Sequence, residues 1–306
     1  MGEGRGFGKV ILFGEHFVVY SVPSIVSAIE KATTATVTRG DGTGWTLDDR
    51  RPETLGYKRE KLEQQKDSIE RVLKAAGVDT KNNPIKISLG GDLVAASGVG
   101  ASAASCVALA RALSDEFDFE FSDERVNTIA YEGEKAYHGN PSGVDNTAAT
   151  YGGLIWFVRG KPIERITVRR PVEVVIGNTG LVANTEAAVA GVKERRQKNP
   201  EKYGKIFKGA EELAFMARKA LVDYDLRAVG SLMDENHRQL QAIEVSSKEL
   251  DFLVDLAREN GAYGAKMTGG GLGGNMVALT PGRALQDSVA RAIREEGFEV
   301  VATRIG

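Results

Sequence analysis

The sequence of 306 residues contains one cysteine, Cys106. A lone cysteine cannot form an internal disulfide, which excludes the class of small disulfide-stabilised secreted domains and predicts a reducing, cytoplasmic location. No run of about 20 apolar residues is present that could cross a membrane. The apolar stretch at residues 10–13 is too short for a signal peptide, so we expect neither secretion nor a membrane partner.

The sequence also lacks an excess of charge of one sign. Its 40 Lys and Arg residues face 42 Asp and Glu residues, for a formal net charge of -2, and basic residues do not alternate with aromatic ones. This balance excludes a polybasic surface and predicts no nucleic-acid partner. We expect a small anionic substrate that is bound locally. The sequence does not indicate the oligomeric state, and a homodimer remains an alternative.

Two common nucleotide fingerprints are missing. The chain has no G-x-x-x-x-G-K-[ST] motif and no G-x-G-x-x-G that opens a helix within a βαβ unit. A phosphate site in this chain must therefore belong to another class. With 42% hydrophobic residues, the chain is long and apolar enough for two domains with a substantial core.

Residues 93–104, with the sequence LVAASGVGASAA, have little side-chain bulk at the start of a helical pattern that continues to Leu113. Such a backbone can come very close to a ligand, and the unpaired N–H groups and dipole of a helix start attract anions. We interpret the segment as a phosphate-binding turn. The alternative is a turn whose small residues allow a helix to pack tightly against a sheet.

A second glycine-rich turn, KMTGGGLGGN, spans residues 266–275 and has five glycines in six positions. Glycines lose backbone entropy and offer nothing to pack, so the turn fits neither a strand nor a helix. The alternative is a flexible linker. Linkers are usually flanked by polar residues, whereas this turn precedes the apolar run 276–279, so we favour an ordered loop.

Near the N-terminus, the segment GKVILFGEH at residues 8–16 predicts a buried strand. Lys9 lies at its start and a Gly-Glu-His turn follows its end. Strands of this kind deliver polar groups to a site at their ends. Lys9 alone would be interpreted as a surface charge, and its interest comes from the other motifs.

Two carboxylates occur in the segment 132–146. Ser122 marks a helix N-terminus, and the apolar spacing behind it puts Glu134 near the end of that helix. The turn GNPSG leads into Asp145, which we place in the loop after the helix. Two carboxylates, a lysine and a helix-start hydroxyl such as Ser102 are the groups that magnesium-assisted phosphoryl transfer needs.

The three histidines divide between two kinds of environment. His16 and His138 fall within these motifs, whereas His237 lies in an ordinary helical stretch and is interpreted as a surface or internally satisfied histidine. The charged run 193–198 predicts a solvated face, with a lid over a nucleotide as the alternative. Cys106 is interpreted as a small packing residue.

The remaining patterns predict both helices and strands. We expect helices over 58–76, 206–222, 226–243 and from a capping box at Ser246 and Glu249 to Gly261, and strands over 84–89, 151–157 and 172–176. The charged stretch 159–170 is the predicted domain change, which gives domains at 1–168 and 169–306.

The N-terminal strand with its Gly-Glu-His turn, the phosphate turn with the GNPSGVDN segment, and the C-terminal glycine turn resemble the motifs of the GHMP kinase superfamily, in the family order over nearly the whole chain. The superfamily is named for galactokinase, homoserine kinase, mevalonate kinase and phosphomevalonate kinase. The first segment and GNPSGVDN are most similar to those of the mevalonate kinases. The resemblance implies an α+β GHMP kinase fold, with a ribosomal-protein-S5-domain-2-like N-terminal domain and a ferredoxin-like α/β sandwich at the C-terminus.

The resemblance also implies ATP and Mg²⁺ as cofactors and phosphorylation of the 5-hydroxyl of (R)-mevalonate in isoprenoid biosynthesis. Position by position, it assigns catalysis to Asp145 and Lys9, magnesium to Ser102 and Glu134, ATP to Ser97, Gly98, Val99, Gly100, Ala101, Ser102, Ala103, Gly270 and Gly271, and the acceptor to Lys9, Glu15, His16, Asp145, Asn146, Tyr151, Thr185 and Thr268. For Thr185, a helix-capping role is the alternative.

The sequence departs from the family pattern at several positions. Phe7 precedes Gly8 where proline is usual, Ala101 replaces the first serine of a pair, and the third motif contains Leu272. None of these changes removes a group that the chemistry needs. Two alternatives stay open: a GHMP kinase for another small hydroxylated acceptor, such as a mevalonate derivative, homoserine or a sugar, and a catalytically silent sensor of the same fold.

Overall fold

The computed structural model describes residues 1–53, 56–95, 98–181, 183 and 185–306. The chain forms two compact units: unit 1 contains residues 1–9 and 29–152, and unit 2 contains residues 10–28 and 153–306. Two strands, β1 (Gly2–Phe13) and β2 (Ser24–Arg39), contribute residues to both units. Each unit combines helices with β-strands.

Unit 1 packs helices against a sheet. Its further elements are β3 (Trp45–Asp49), α1 (Tyr57–Glu60), α2 (Leu62–Ala76), β4 (Ile85–Gly91), α3 (Ala101–Glu116), α4 (Asp123–His138) and α5 (Val144–Tyr151). Strand β4 pairs in parallel with β3 and antiparallel with β2, where Thr33 lies opposite Gly91. Because alternate residues of β4 point to one face, Ile85, Ile87 and Leu89 join the helices in the core.

Three alternate glycines of β1 lie directly against α3. Each faces one alanine carbonyl of the helix, in the pairs Gly2 with Ala112, Gly4 with Ala108 and Gly6 with Ala104. A Cβ atom on any of these glycines would lie 2.0–2.2 Å from that oxygen, so a side chain does not fit. The pairing works because two strand residues rise by about 6.6 Å and four helix residues by about 6 Å. Strand and helix therefore meet backbone to backbone.

The helices of unit 1 differ from the sequence predictions in two places. The predicted helix 58–76 divides into α1 and α2, with a break at Lys61, where φ is -99° and ψ is 12°. Ser122 is confirmed as an N-cap, since its hydroxyl accepts a hydrogen bond from the Arg125 N–H. The placement of Asp145 in a loop was wrong. Gly143, with φ of 88°, turns the chain so that α5 begins at Val144 and Asp145 lies in its first turn.

Unit 2 contains an antiparallel sheet with helices packed on it. Its further elements are a 3₁₀ helix (Phe17–Tyr20), β5 (Leu154–Phe157), β6 (Glu164–Ile166), β7 (Val172–Asn178), α6 (Thr185–Lys198), α7 (Pro200–Val222), α8 (Leu226–Ala242), α9 (Lys248–Glu259), β8 (Gly264–Thr268), β9 (Asn275–Leu279), α10 (Arg283–Glu295) and β10 (Glu299–Ile305). The antiparallel sheet has four strands in the order β10-β7-β9-β8, whereas β5 and β6 belong to the sheet that contains β2. Every neighbouring pair in this order is antiparallel.

The predicted strand 172–176 and the helices at 206–222 and 226–243 are present in unit 2, with α7 extending earlier to Pro200. The predicted strand 151–157 begins only at Leu154, because Tyr151 still belongs to α5. The N-cap of α9 lies one residue later than predicted, which puts Leu250 rather than Glu249 at the third helical position. Ser247, in an extended conformation, accepts from the Leu250 N–H, while the Ser246 hydroxyl donates to Asp251 at 2.6 Å.

The longest helix in the described ranges is α7, with 23 residues. Charged residues such as Lys205 and Glu212 occur along it. Within the part of the chain that the structure describes, no helix has both the length and the apolar character that are needed to cross a bilayer.

Candidate active site

The centre of the candidate site in unit 1 is an ion pair between Lys9 and Asp145. Lys9 Nζ lies 3.1 Å from Asp145 Oδ1, and the lysine side chain is 5% exposed against 31% for the aspartate. The Lys9 N–H donates to the Val99 carbonyl at 2.8 Å, which joins β1 to the phosphate turn. A Cβ atom on Gly100 would lie 2.9 Å from Lys9 Cγ, so glycine leaves room for the lysine stem. The ammonium is thereby held at the mouth of α3.

The phosphate turn presents a helix start without a capping side chain. Gly98 and Gly100 adopt positive φ values of 72° and 79°, and α3 begins at Ala101 with no side-chain cap from Gly100. The first-turn N–H groups of Ala101, Ser102 and Ala103 therefore retain the polarity that attracts a phosphate. Ser97, to which the resemblance also gives a role in ATP binding, lies outside the described residues.

Glu134 is a buried carboxylate next to this ion pair. It is 1% exposed and lies one turn before the end of α4. Burial, followed by repulsion from Asp145, raises its pKa to about 8, against the opposing effects of a hydrogen bond with Ser102 and the charge of Lys9. Among the described residues, Glu134 Oε1 has no hydrogen-bond partner. A bound cation would satisfy that oxygen and stabilise the charged form.

The donor set around Glu134 suits magnesium. Mg²⁺ prefers oxygen ligands and typically keeps waters and substrate phosphates beside one or two carboxylates. Ser102 and Glu134 supply one hydroxyl and one carboxylate at a helix start that suits phosphate. In the described ranges, no group of three or more His, Cys, Asp or Glu side chains could hold a metal by itself. The residues fit a metal that is shared with a nucleotide.

His138 lies one helical turn beyond Glu134, with Nε2 3.8 Å from Glu134 Oε2. Burial lowers its pKa, and the charge of Lys9 acts in the same direction, while Asp145 opposes both. The sequence had placed this histidine in a motif without giving it a role. The structure shows it beside the carboxylates.

A pocket adjoining the start of α3 was missed from the sequence. It encloses about 320 Å³ of space, part of it open to solvent, and is lined by Arg51, Tyr57, Lys58, Lys61, Gln65, Ala95, Ala101, Ser102 and Tyr137. Arg51 is fixed by two hydrogen bonds to Asp49, of 2.9 and 2.6 Å. Burial opposes ionisation of Asp49, but the hydrogen bonds and charge of Arg51 outweigh it and lower the pKa of Asp49 to about 2. The only sequence signal was the basic start of helix 58–76, which resembles an ordinary solvated face.

Unit 2 carries a second group of the assigned residues. Glu15 forms an ion pair with Lys266, and both side chains are fully buried. Lys266 Nζ also donates to the Met267 carbonyl at 2.6 Å. Burial lowers the pKa of Lys266, and the charge of Glu15 and its hydrogen bond act against this. Glu15 therefore has a structural partner that the sequence did not indicate.

His16 and Thr268 are held against the same part of unit 2. His16 has φ of 62°, and its Nε2 lies 2.9 Å from the Gly270 carbonyl. Burial lowers the pKa of His16 to about 4, so the ring is neutral at pH 7 and Nε2 donates its proton to that carbonyl. The Thr268 hydroxyl donates to the Ile11 carbonyl and accepts from the Ile11 N–H, at 2.9 and 3.1 Å.

The glycines of the third motif make contacts that other residues could not. A Cβ atom on Gly270 would lie 2.2 Å from Thr185 Oγ1, and one on Gly271 would lie 2.0 Å from the Val245 carbonyl oxygen. Thr185 is the first residue of α6. Both glycines therefore serve close packing of the loop against its neighbours.

Two further assigned residues lie in α5 of unit 1. Asn146 is buried, and its Nδ2 donates to Asn127 Oδ1 of α4 at 2.6 Å. Tyr151 is half-buried at the end of the helix. Asn146 thus connects the helix of Asp145 to the helix of Glu134.

Two buried histidines predict that the protein becomes less stable in acid. His237 of α8 is 2% exposed, and burial lowers its pKa to about 4, as it does for His16. An unfolded chain takes up these protons near pH 6.5, so between pH 6.5 and 4 it binds more protons than the folded chain. The free energy of unfolding should fall by about 3 kcal/mol per histidine across this range. The raised pKa of Glu134 acts in the opposite direction and offsets about one histidine, so a net fall of about 3 kcal/mol is expected.

Urea unfolding at half-unit pH steps from 7.5 to 4 would measure this effect. His237→Asn should make the free energy of unfolding less dependent on pH, by the contribution of one histidine. A free energy of unfolding that is constant between pH 6.5 and 4.5 would contradict the prediction.

Comparison with known proteins agrees with the motif order and the geometry. The model for the GHMP kinases N terminal domain matches residues 65–153, and the model described as GHMP kinases C terminal matches residues 217–299. The mevalonate kinase of Pyrococcus abyssi is 33% identical over 97% of this chain and 93% of its own length. That of Pyrococcus furiosus is 34% identical, with coverages of 97% and 94%.

The crystal structure of L. major mevalonate kinase in complex with R-mevalonate matches with a TM-score of 0.94 and 37% sequence identity, over 100% of this chain and 96% of that chain. The predicted fold class is thereby confirmed. With matched family models in both halves and close relatives along nearly its full length, the chain belongs to the GHMP kinase family.

Proposed function

We propose that this protein transfers the γ-phosphoryl group of ATP to the 5-hydroxyl of (R)-mevalonate. The observation that carries the proposal is the Lys9 and Asp145 ion pair, in the same unit as buried Glu134 and the uncapped start of α3. A cation-paired carboxylate can accept a hydroxyl proton, and a helix start can hold phosphates. The relatives that match over nearly the whole chain are mevalonate kinases.

In this mechanism, Asp145 accepts the proton of the 5-hydroxyl as its oxygen attacks the γ-phosphorus. The bond between the γ-phosphorus and the oxygen that bridges it to the β-phosphorus breaks, and ADP leaves. Lys9 compensates the charge that develops on the transferred group, and the N–H groups at the start of α3 donate to phosphate oxygens.

Magnesium is part of the proposal through Ser102 and Glu134. These two side chains would hold the ion, which would supply positive charge to neutralise the charge that develops on the phosphates. The unpartnered Oε1 of Glu134 and the raised pKa of its carboxyl support this assignment. The roles in acceptor binding that the resemblance gives to His16 and Thr268 stay predictions.

The cytoplasm is the proposed location. Cys106 supports it, because a chain with one cysteine cannot form the internal disulfides that are common in oxidising compartments.

An assay of ADP release with a panel of acceptors tests the function. With ATP and Mg²⁺, (R)-mevalonate should give ADP and 5-phosphomevalonate in equal amounts, identified by phosphorus NMR. Homoserine, galactose and phosphorylated mevalonate should be poor acceptors, because a site built for one set of polar groups leaves theirs unpaired.

Asp145→Asn serves as the matched control for background ATP hydrolysis. If ADP is formed only with a different acceptor, the protein is a kinase but mevalonate is not its substrate. Tight ATP binding without transfer to any acceptor would identify a silent sensor.

A further inference from the structure

Strand β8, which leads into the glycine-rich third motif, ends the strand order β10-β7-β9-β8. An edge strand leaves a row of N–H and C=O groups without a strand partner. In this protein, side chains form hydrogen bonds with backbone groups of the edge strand in place of a further strand. The Ala265 N–H donates to Asp234 Oδ1 at 2.9 Å, and the Met267 N–H donates to His237 Nδ1 at 3.3 Å.

The two acceptors lie three residues apart on α8, on the same face of the helix. Arg258 of α9 completes the set, because its guanidinium donates to the Ala265 carbonyl at 2.8 Å and to Asp234 at 2.8 Å. Helix and strand can approach this closely because a Cβ atom on Gly230 would lie 2.1 Å from the Tyr263 carbonyl oxygen. Side chains of α8 and α9 thus substitute for the next strand.

His237 extends this arrangement beyond the strand. Because its Nδ1 accepts from a backbone N–H, the proton of the neutral ring is on Nε2, which donates to Asp251 Oδ1 at 3.1 Å. The same carboxylate oxygen accepts from the Ser246 hydroxyl at 2.6 Å. Val245 precedes Ser246 in the chain, and its carbonyl accepts a hydrogen bond from the Leu272 N–H at 2.8 Å.

The network therefore holds the glycine loop, residues 268–274, both before its first residue and at its middle. This loop has little means of ordering itself. Gly269, Gly271, Gly273 and Gly274 have positive φ values of 75–125°, and glycine gives the backbone many alternative conformations. Leu272 adopts φ of 53°, which is strained for a residue with a side chain. Contacts from outside the loop must select this one conformation.

We propose that His237 is a positioning residue for the reaction, which fixes the glycine loop through Met267 directly and through Asp251, Ser246 and Val245 at Leu272. The proposal rests on the proposed kinase function for its effect on activity. Its structural part, the ordering of the loop by His237, is measurable without any substrate.

Two substitutions of His237 separate the two ends of the ring. Asn carries an oxygen where the histidine has Nδ1, so His237→Asn keeps the acceptor for the Met267 N–H and loses the donor to Asp251. Gln places its amide near the position of Nε2, so His237→Gln can reach Asp251 but offers no acceptor at the Nδ1 position. Both replace a buried ring by a smaller polar chain, which makes them matched controls for packing.

We expect His237→Gln to lower kcat/KM for mevalonate by about 10- to 100-fold, as displacement of a positioned group does, and His237→Asn to retain activity within about threefold. In the free protein, amide hydrogen exchange at the start of the loop, residues 268–270, should accelerate in His237→Gln and stay near the native rate in His237→Asn. Exchange at Leu272 should accelerate modestly in His237→Asn, because that variant loses the donor to Asp251. The thermal midpoints of the two variants should be similar.

Equal losses of activity in both variants, or losses that follow their thermal midpoints, would overturn the positioning role. Unchanged exchange in His237→Gln would overturn it as well. If His237→Gln fails to fold, Asp251→Ala is the substitute variant, because Asp251 lies at the half-exposed end of the network. Faster amide exchange at Leu272 is then the expected result. Exchange that responds as expected in a protein with no kinase activity would disprove the proposed function and leave the loop ordering intact.

Discussion

Replacement of Asp145 by asparagine should lower kcat by about 10²–10⁴-fold, with ATP affinity largely retained. Asparagine keeps the size and hydrogen-bonding ability of the side chain but cannot accept the proton of the attacking hydroxyl. Lys9→Met should cause a loss in the same range, because it removes the ammonium 3.1 Å from that carboxylate and leaves the developing charge uncompensated. Steady-state turnover with (R)-mevalonate, together with calorimetric binding of an ATP analogue, would measure both effects.

The control for this prediction is Asp123→Asn. Asp123 also lies in the first turn of a helix, α4, but its partner is Arg111 and it is half-exposed. The same chemical change there should leave kcat near the native value. Turnover by Asp145→Asn or Lys9→Met at close to the native rate would show that the assigned roles are wrong.

Replacement of Glu134 by glutamine should raise the magnesium requirement more than Ser102→Ala does. Glu134 brings a full charge to the ion, whereas Ser102 offers a neutral hydroxyl. Glu134→Gln should also change the pH dependence. Because the pKa of the carboxyl is raised to about 8 without a metal, magnesium must displace a proton at pH 7, and its apparent affinity should rise with pH up to about 8.

Magnesium titrations of activity at several pH values would test this prediction, and calorimetry in two buffers would measure the released proton directly. The glutamine variant should lose both the proton release and the pH dependence of metal affinity. Equal shifts in magnesium requirement for Glu134→Gln and Ser102→Ala would argue against direct coordination by Glu134.

Local signals in the sequence were sufficient for much of unit 1. Ser122 starts a helix because its hydroxyl accepts the Arg125 N–H, and the helical spacing behind it put Glu134 near the helix end. The small residues around Gly100 correctly marked a helix start. Asp145 was placed in a loop because the GNPSG turn signals a loop, whereas the short helix α5 that follows has no capping side chain to announce it.

Interactions between distant parts of the sequence could not be predicted. Glu15 and Lys266 are 251 positions apart, and no local pattern indicates that these charges pair. The assignment of residues 10–28 to unit 2 was missed for the same reason, since it depends on partners far along the chain, such as β5, whose Phe157 lies opposite Ser24 of β2. Arg51 escaped notice because a buried arginine and an exposed one look the same in a sequence. The division at residue 168 and the roles of the assigned site residues stay predictions.

The backbone contact between β1 and α3 determines which mutations this active site can tolerate. Where side chains fill a core, a loss of volume at one position can be compensated at another. Gly4 and its two neighbours in the contact have no side-chain volume to exchange, so each position admits one amino acid. The strand that carries Lys9 therefore keeps its place along the helix that carries Ser102 while the surrounding core changes sequence. Because a shift of about 1 Å can cost about 100-fold in rate, this inflexible contact protects the chemistry from gradual drift of the residues around it.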